Sequence, residues 1–261
     1  MNALVTGGGG FLGTAVIRRL VERGWSVRSF CRRRYPHLES LGVEQMQGDL
    51  ADEEAVSEAV REVDLVLHIG AKAGVWGKRE DFIRANIEGT RNVLSACRRC
   101  GVRRLVYTSS PSVVFPAGDM EGATEDVPYP KSYRSHYPAT KAVAERMVRE
   151  AAGSDLATVS LRPHLLWGPG DTQLIPGILA RGRTGRLRRI GREDKLVDFT
   201  YVDNAAEAHV LAAEKIEVGS PVSGKVYFIS QGEPMPVWTF IARVLECASA
   251  PPLRPGAVPA G

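Results

Sequence analysis

The chain reads as an α/β protein built on a doubly wound parallel sheet, with a small lobe towards the C-terminus. Three observations lead to that reading. A short apolar run, Ala3 to Val5, opens straight into a glycine-rich turn. Apolar runs then alternate with helix-period segments over short connections, the β-α-β-α-β pattern of a parallel sheet. The run Val63 to Ile69 is apolar apart from Asp64 and His68, as expected of a strand buried on both faces.

The first strand and its turn organise the rest. Gly7, Gly10 and Gly13 follow Val5 with the spacing of a dinucleotide-binding turn. One glycine makes the tight turn, one lets the backbone approach a pyrophosphate, and one lets helix and strand pack closely. Thr14 to Arg23 then reads as a helix whose N-terminus offers N–H groups and positive dipole to phosphates. A strand, a glycine turn and a helix in that order point to a Rossmann nucleotide site. A flexible turn is the bland alternative.

Composition sets the limits. With 261 residues the chain has room for one large domain or a domain plus a lobe. Apolar residues make up 44%, enough for a sizeable core. A net charge of +4 without a concentrated patch, and 7% aromatic residues, give no sign of nucleic-acid binding. No stretch approaches the roughly 18 apolar residues of a membrane span. Met1 leads directly into the first strand, so no signal peptide is expected and the cytoplasm is the expected location. Cys97 and Cys100 form a C-x-x-C around Arg98-Arg99 in a helical pattern. With no second pair or histidine nearby, no metal site is expected, and incidental thiols are favoured over a redox pair.

Ser26 to Cys31 reads as the second strand, and its end decides the cofactor. A carboxylate there accepts hydrogen bonds from a ribose, whereas an arginine pairs with a 2′-phosphate. Cys31-Arg32-Arg33-Arg34 stands there with no acid before Glu39, which favours NADP(H) over NAD(H) through Arg32. A solvated basic loop is the alternative. Leu41 to Gln47 suggests a third strand. Asp49 then either accepts from an adenine amino group or caps the helix Glu53 to Val60. Val63 to Ile69 is the fourth strand, Asp81 to Cys100 a long helix, and Arg103 to Thr108 a fifth strand ending in Ser109-Ser110. His68 reads as a structural, hydrogen-bonded residue, and Asn86 as a helix residue in need of partners.

Tyr137 and Lys141 lie four apart at the start of a helix running from Ala139 to Ala151, with Pro138 in its first turn. An ammonium beside a phenol favours the phenolate and lowers the tyrosine pKa. Such a tyrosine exchanges protons near neutral pH, and a Ser110 hydroxyl can hold the substrate oxygen.

Thr6-Gly-Gly-Gly-Gly-Phe-Leu-Gly13, Gly48-Asp-Leu50, His68-Ile-Gly-Ala71, Asn86-Ile-Glu-Gly-Thr90, Tyr107-Thr-Ser-Ser110, Tyr137-Pro-Ala-Thr-Lys141, Leu161-Arg-Pro163, Trp167-Gly-Pro-Gly-Asp171 and Asp198-Phe-Thr-Tyr-Val-Asp203 complete a pattern. With them the chain, from Met1 to about Gln231, resembles the extended short-chain dehydrogenase/reductases of the 3β-hydroxysteroid dehydrogenase and NAD-dependent epimerase/dehydratase group. The resemblance implies Tyr137 as acid/base, Lys141 as its partner and a ribose contact, and Ser110 as the substrate-orienting hydroxyl. It further implies cofactor contacts at Gly7, Gly10, Phe11, Leu12, Gly13, Asp49, Leu50, Ala71 and Pro163, a mainly structural Asn86, and a homodimer through two helices of each chain. Ala71-Lys-Ala-Gly-Val-Trp-Gly77, Ser109-Ser-Pro-Ser-Val-Val-Phe115 and Pro128-Tyr-Pro130 are similar to bacterial reductases of 2-alkyl-3-oxoalkanoic acids.

The expected organisation is a dinucleotide-binding domain over 1–165 with a return segment 196–215, and a truncated substrate lobe from 166–195 and 216–261. Trp76, Phe115, Tyr129 and Trp167 are candidate walls of an apolar pocket. Arg181, Arg183, Arg186, Arg188, Arg189 and Arg192 are either a solvated face or a wall for an anionic substrate head. The expected activity is NADP(H)-dependent interconversion of a hydroxyl and a carbonyl on a hydrophobic 3-oxo acid or sterol-like small molecule. A nucleotide-sugar epimerase or dehydratase, and a non-catalytic NADP sensor, are the alternatives.

Overall fold

The computed structural model describes every residue except Val75, Pro116, Ala117, Gly191, Arg192, 254–256 and 259–261. Arg192 and half of the C-terminal stretch 250–261 therefore lie outside the described residues. The chain divides into two compact units, Met1–Pro163 with Ala206–Ile229, and His164–Ala205 with Ser230–Gly261.

The first unit carries a seven-stranded sheet. Its strands are β1 (Asn2–Thr6), β2 (Ser26–Cys31), β3 (Glu44–Gln47), β4 (Leu65–His68), β5 (Arg104–Thr108), β6 (Ala157–Pro163) and β7 (Lys225–Ile229). They lie in the order β7-β6-β5-β4-β1-β2-β3, every neighbouring pair parallel. The winding reverses between β1 and β4, where a ligand crevice opens beyond the carboxyl ends of the strands. Leu4, Leu65, Val66, Leu67, Leu105 and Val106 are fully buried, which is why these strands read as unbroken apolar runs.

The helices depart from expectation in instructive ways. α1 (Phe11–Glu22) starts before Thr14, because Gly10 takes the extended N-cap conformation with φ −81° and ψ 174°. α2 (Pro36–Glu39) is a single turn. β3 is shorter than Leu41 to Gln47, since Gly42 turns the chain with φ +71°. α3 (Glu53–Val60) is capped by Asp52, whose carboxylate accepts the Glu54 and Ala55 N–H groups at 3.1 Å, so Asp49 is not the cap. The long helix expected from Asp81 to Cys100 is α4 (Arg79–Phe82), a π-helical turn over Ile83–Glu88, and α5 (Gly89–Arg99). Such wide turns cluster at functional sites, and this one holds Asn86. α6 (His136–Glu150) carries Tyr137 and Lys141 in its first two turns. Val56, Val60, Val93, Cys97, Val148 and Leu156 join the strands in one core cluster on the α3, α5, α6 face.

The second unit has its own small core. Phe199 stacks on Phe240 at 3.8 Å, with Ile178, Ile241 and Leu245 around them. These residues come from α7 (Leu174–Arg183), from the segment that leads into α8 (Val202–Lys215), and from α9 (Val237–Cys247). Trp167, half-buried, packs edge-on against Phe240 at 5.5 Å at the border of this core. Among the described residues no helix is long and apolar enough to cross a membrane. All four cysteines are free. Burial pushes the Cys97 thiol up to about 12.

Candidate active site

The glycine turn sits at the carboxyl end of β1. Gly7 has φ +70°, and a Cβ there would lie 2.7 Å from the Gly70 backbone. At Gly13 a Cβ would meet the Gly7 carbonyl at 2.3 Å, so this glycine lets α1 pack on the turn. Gly10 is exposed, and a Cβ there would meet only the Gly7 carbonyl, at 3.2 Å. Among the described residues no side chain caps α1. The first N–H groups, on Phe11, Leu12 and Gly13, are thus left for an outside acceptor. An open cradle before an uncapped helix N-terminus fits a dinucleotide pyrophosphate.

The flanking residues line the same sheet edge. Leu50 covers two glycines: Cβ atoms at Gly70 and Gly89 would lie 3.0 and 2.7 Å from its side chain. Asp49 turns its carboxylate to the Ala51 N–H at 3.0 Å and to Arg84 at 3.2 Å. Arg32 is exposed just beyond β2, Ala71 is exposed beyond β4, and Pro163 ends β6.

Ser110, Tyr137 and Lys141 come together beyond β5. The Lys141 ammonium donates to the Thr108 carbonyl at 2.6 Å and lies 4.1 Å from the Tyr107 ring centre. Burial pulls Lys141 down to about 7, with Glu145 acting against it. Ser110 Oγ is 2.8 Å from Ser112 Oγ and accepts the Ser112 N–H at 3.2 Å. Burial raises the Tyr137 phenol above its ordinary value, and only the Ser110 hydroxyl pulls it back. The expected lowering by Lys141 is absent. The helical spacing is as expected, but the ammonium is engaged by a backbone carbonyl, and desolvation outweighs its charge.

Two polar networks brace this row. His68 Nδ1 is 2.7 Å from Thr6 Oγ1 and Nε2 is 3.0 Å from Thr90 Oγ1, which satisfies the ring and makes it structural. Asn86 accepts the Lys72 N–H at 2.7 Å and donates to the Lys72 carbonyl and to Thr140 Oγ1. Thr140 in turn donates to the carbonyls of His136 and Tyr137, so the π-helical turn steadies the first turn of α6. Beneath them Arg162 and Glu145, at 1% and 0% exposure, form a two-pronged ion pair of 2.8 and 2.5 Å. Tyr129 donates to the same carboxylate at 2.5 Å. The sequence reading missed this pair. Glu145 stands four residues after Lys141, and that helical spacing was the available signal. Trp76 and Phe115 remain exposed, at 90% and 50%.

A family model for the "3-beta hydroxysteroid dehydrogenase/isomerase family" matches residues 4–252. The chain belongs to that family. It is 52% identical over 253 residues to a 2-alkyl-3-oxoalkanoate reductase of Stenotrophomonas maltophilia, covering 96% of this chain and 77% of that one. It is 37% identical to the decarboxylating sterol-4-alpha-carboxylate 3-dehydrogenase of Mus musculus, covering 92% and 67%. Among solved structures, the UDP-glucose 4-epimerase of Thermus thermophilus in complex with NAD superposes with a TM-score of 0.79 at 30% identity, covering 99% and 86%. As a member of the 3β-hydroxysteroid dehydrogenase/isomerase family, the protein is an NAD(P)-dependent dehydrogenase/reductase acting on CH–OH groups.

Proposed function

We propose that the protein is an NADP(H)-dependent reductase of hydrophobic 3-oxo acids, with Tyr137, Ser110 and Lys141 as its catalytic row. The observation that carries this is the convergence of the row and the open glycine cradle on one edge of one sheet. Gly7, Gly10, Phe11, Leu12 and Gly13 hold the pyrophosphate, Asp49, Leu50 and Ala71 flank the adenosine half, and Pro163 backs the nicotinamide. The bound dinucleotide supplies the hydride. Ser110 donates a hydrogen bond to the carbonyl oxygen, and Tyr137 gives it a proton as negative charge develops there. Burial keeps the Tyr137 phenol protonated, the form that gives a proton to a carbonyl oxygen. Lys141, anchored on the Thr108 carbonyl, binds the nicotinamide ribose.

The basic segment after β2 supports the 2′-phosphorylated cofactor. Exposed Trp76 and Phe115 offer an apolar surface to a long-chain substrate, and exposed Arg181, Arg183, Arg186 and Arg188 on the second unit attract an anionic one. Four free cysteines suit a reducing cytoplasm. A second copy of the chain docks along the groove of Leu94, Ser95, Met147 and Ala151 between α5 and α6; a solution mass of one chain would overturn that.

The test is NADPH oxidation with a 2-alkyl-3-oxoalkanoic acid, set beside UDP-glucose with NAD. Turnover of the keto acid, reduced about 100-fold or more in Tyr137→Phe with NADPH binding retained, is expected. Turnover of the sugar nucleotide alone would replace the reading with an epimerase, the activity named for the Thermus neighbour. Binding without turnover of either, unchanged by Tyr137→Phe, would indicate a sensor.

A further inference from the structure

An aromatic ring lies on the glycine turn. A Cβ built on Gly9 would fall 2.1 Å from Cδ2 and Cε2 of Tyr35, so the ring rests on the turn's backbone and only glycine admits it. Gly9 has no positive φ of its own to explain its identity. Tyr35 is fixed there by Gln45, which accepts its N–H at 2.8 Å and donates to its carbonyl at 3.1 Å. The Arg33 guanidinium lies 5.0 Å from the ring centre. The His37 ring meets it edge-on at 5.6 Å, with Nε2 3.1 Å from the Thr14 hydroxyl on α1. Of the three arginines that follow β2, Arg34 is paired with Glu39 at 3.3 Å.

The end of β2 is where a dinucleotide's adenosine ribose is recognised in this fold, by a carboxylate when its hydroxyls are free and by cations when one is phosphorylated. Here a clamped ring carries a guanidinium and an imidazole at that place. An unsupported arginine would lose side-chain entropy at each encounter, whereas one stacked on a fixed ring is pre-organised. We propose that Tyr35, seated on Gly9, sets the discrimination between the 2′-phosphorylated and the unphosphorylated dinucleotide by holding Arg33 and His37 beside the ribose. This rests on the reading of the turn as a nicotinamide dinucleotide site. Gly9 and Tyr35 are then one device: the glycine is the seat and the ring is the support.

The experiment is titration of the full chain with NADPH and with NADH, followed by energy transfer from tryptophan. It is run on wild type, Tyr35→Ala, Tyr35→Phe, Gly9→Ala and Gly9→Ala/Tyr35→Ala, with melting of each ligand-free variant. Tyr35→Ala is expected to weaken NADPH about tenfold or more, the size of one lost charge-assisted contact, with a much smaller change for NADH. Tyr35→Phe retains the ratio, because the ring and not the hydroxyl is seated. Gly9→Ala reproduces the loss by unseating the ring, and the double variant is no worse than either single one. Equal weakening of both cofactors by Tyr35→Ala, or no change in their ratio, overturns the inference and leaves the cofactor reading standing. Tighter binding of NADH by the wild type overturns the NADP(H) reading and the phosphate role given to Arg33. No binding of either by a folded wild type removes the dinucleotide site itself.

Discussion

Burial decides the proton positions around this site. His68 is held near 3 because desolvation and the Lys141 charge both oppose its cationic form. In the unfolded chain it titrates near the ordinary histidine value of 6.5, so between these values the unfolded state binds more protons. The stability that rests on neutral His68 is therefore present above about pH 6.5 and is lost as pH falls towards 3. A His68→Gln variant is expected to melt lower at pH 7 yet lose less on acidification, a difference on the order of a few kcal/mol. Melting curves at stepped pH check this, and parallel curves would refute it. Tyr137 teaches the same lesson. Its spacing from Lys141 is legible in the chain, but its pKa direction is set by burial, and the ammonium takes another partner. That partner is the Thr108 carbonyl, 33 residues away and invisible to local reasoning.

Among the elements, the β1–α1 turn has the least tolerance. At Gly13 a methyl group would meet the Gly7 carbonyl at 2.3 Å and Gly8 Cα at 2.8 Å, backbone atoms that cannot move aside without shifting β1 or α1. Gly13→Ala is expected to cost about 1–3 kcal/mol, as overpacking does, and to abolish dinucleotide binding. Thermal melting and titration with NADPH measure the two effects, and a variant that still binds would show that the turn is not the cradle. The element pattern itself was largely readable, because strands buried on both faces leave unbroken apolar runs. The exceptions have physical reasons. The π-helical turn at Ile83–Glu88 carries Asn86, whose partners Lys72 and Thr140 lie 14 and 54 residues away in the chain. The cap of α3 fell to Asp52 and not Asp49 because only the former lies directly before the helix, in the extended conformation that a cap requires.

At the scale of the molecule, the buried Arg162–Glu145 pair joins β6 to α6 beneath the proposed catalytic row. Breaking one partner leaves the other charged and dry, which costs about 3–5 kcal/mol. Glu145→Ala is therefore expected to melt far lower than wild type, and Glu145→Leu combined with Arg162→Met is expected to recover much of the loss. Denaturant unfolding distinguishes the two, and a harmless Glu145→Ala would mean that water reaches the pair. The second unit is held by a core of its own. Phe199 and Phe240 stack at its centre, and the half-buried Trp167 packs edge-on against Phe240.

Periodicity and spacing within a few residues were enough to point to five strands of the parallel sheet and to the glycine turn, and to single out Ser110, Tyr137 and Lys141 as candidates. Motifs spread from Thr6 to Asp203 carried the family as well. Which groups are dry, which partners satisfy them and which ring lies on which glycine became visible only in three dimensions. Tyr35 on Gly9, Lys141 on Thr108 and Arg162 on Glu145 join residues 17 to 33 positions apart in the chain. Contacts of that kind arise from how strands are ordered in the sheet, and desolvation, which sets the pKa directions here, exists only once the core has closed.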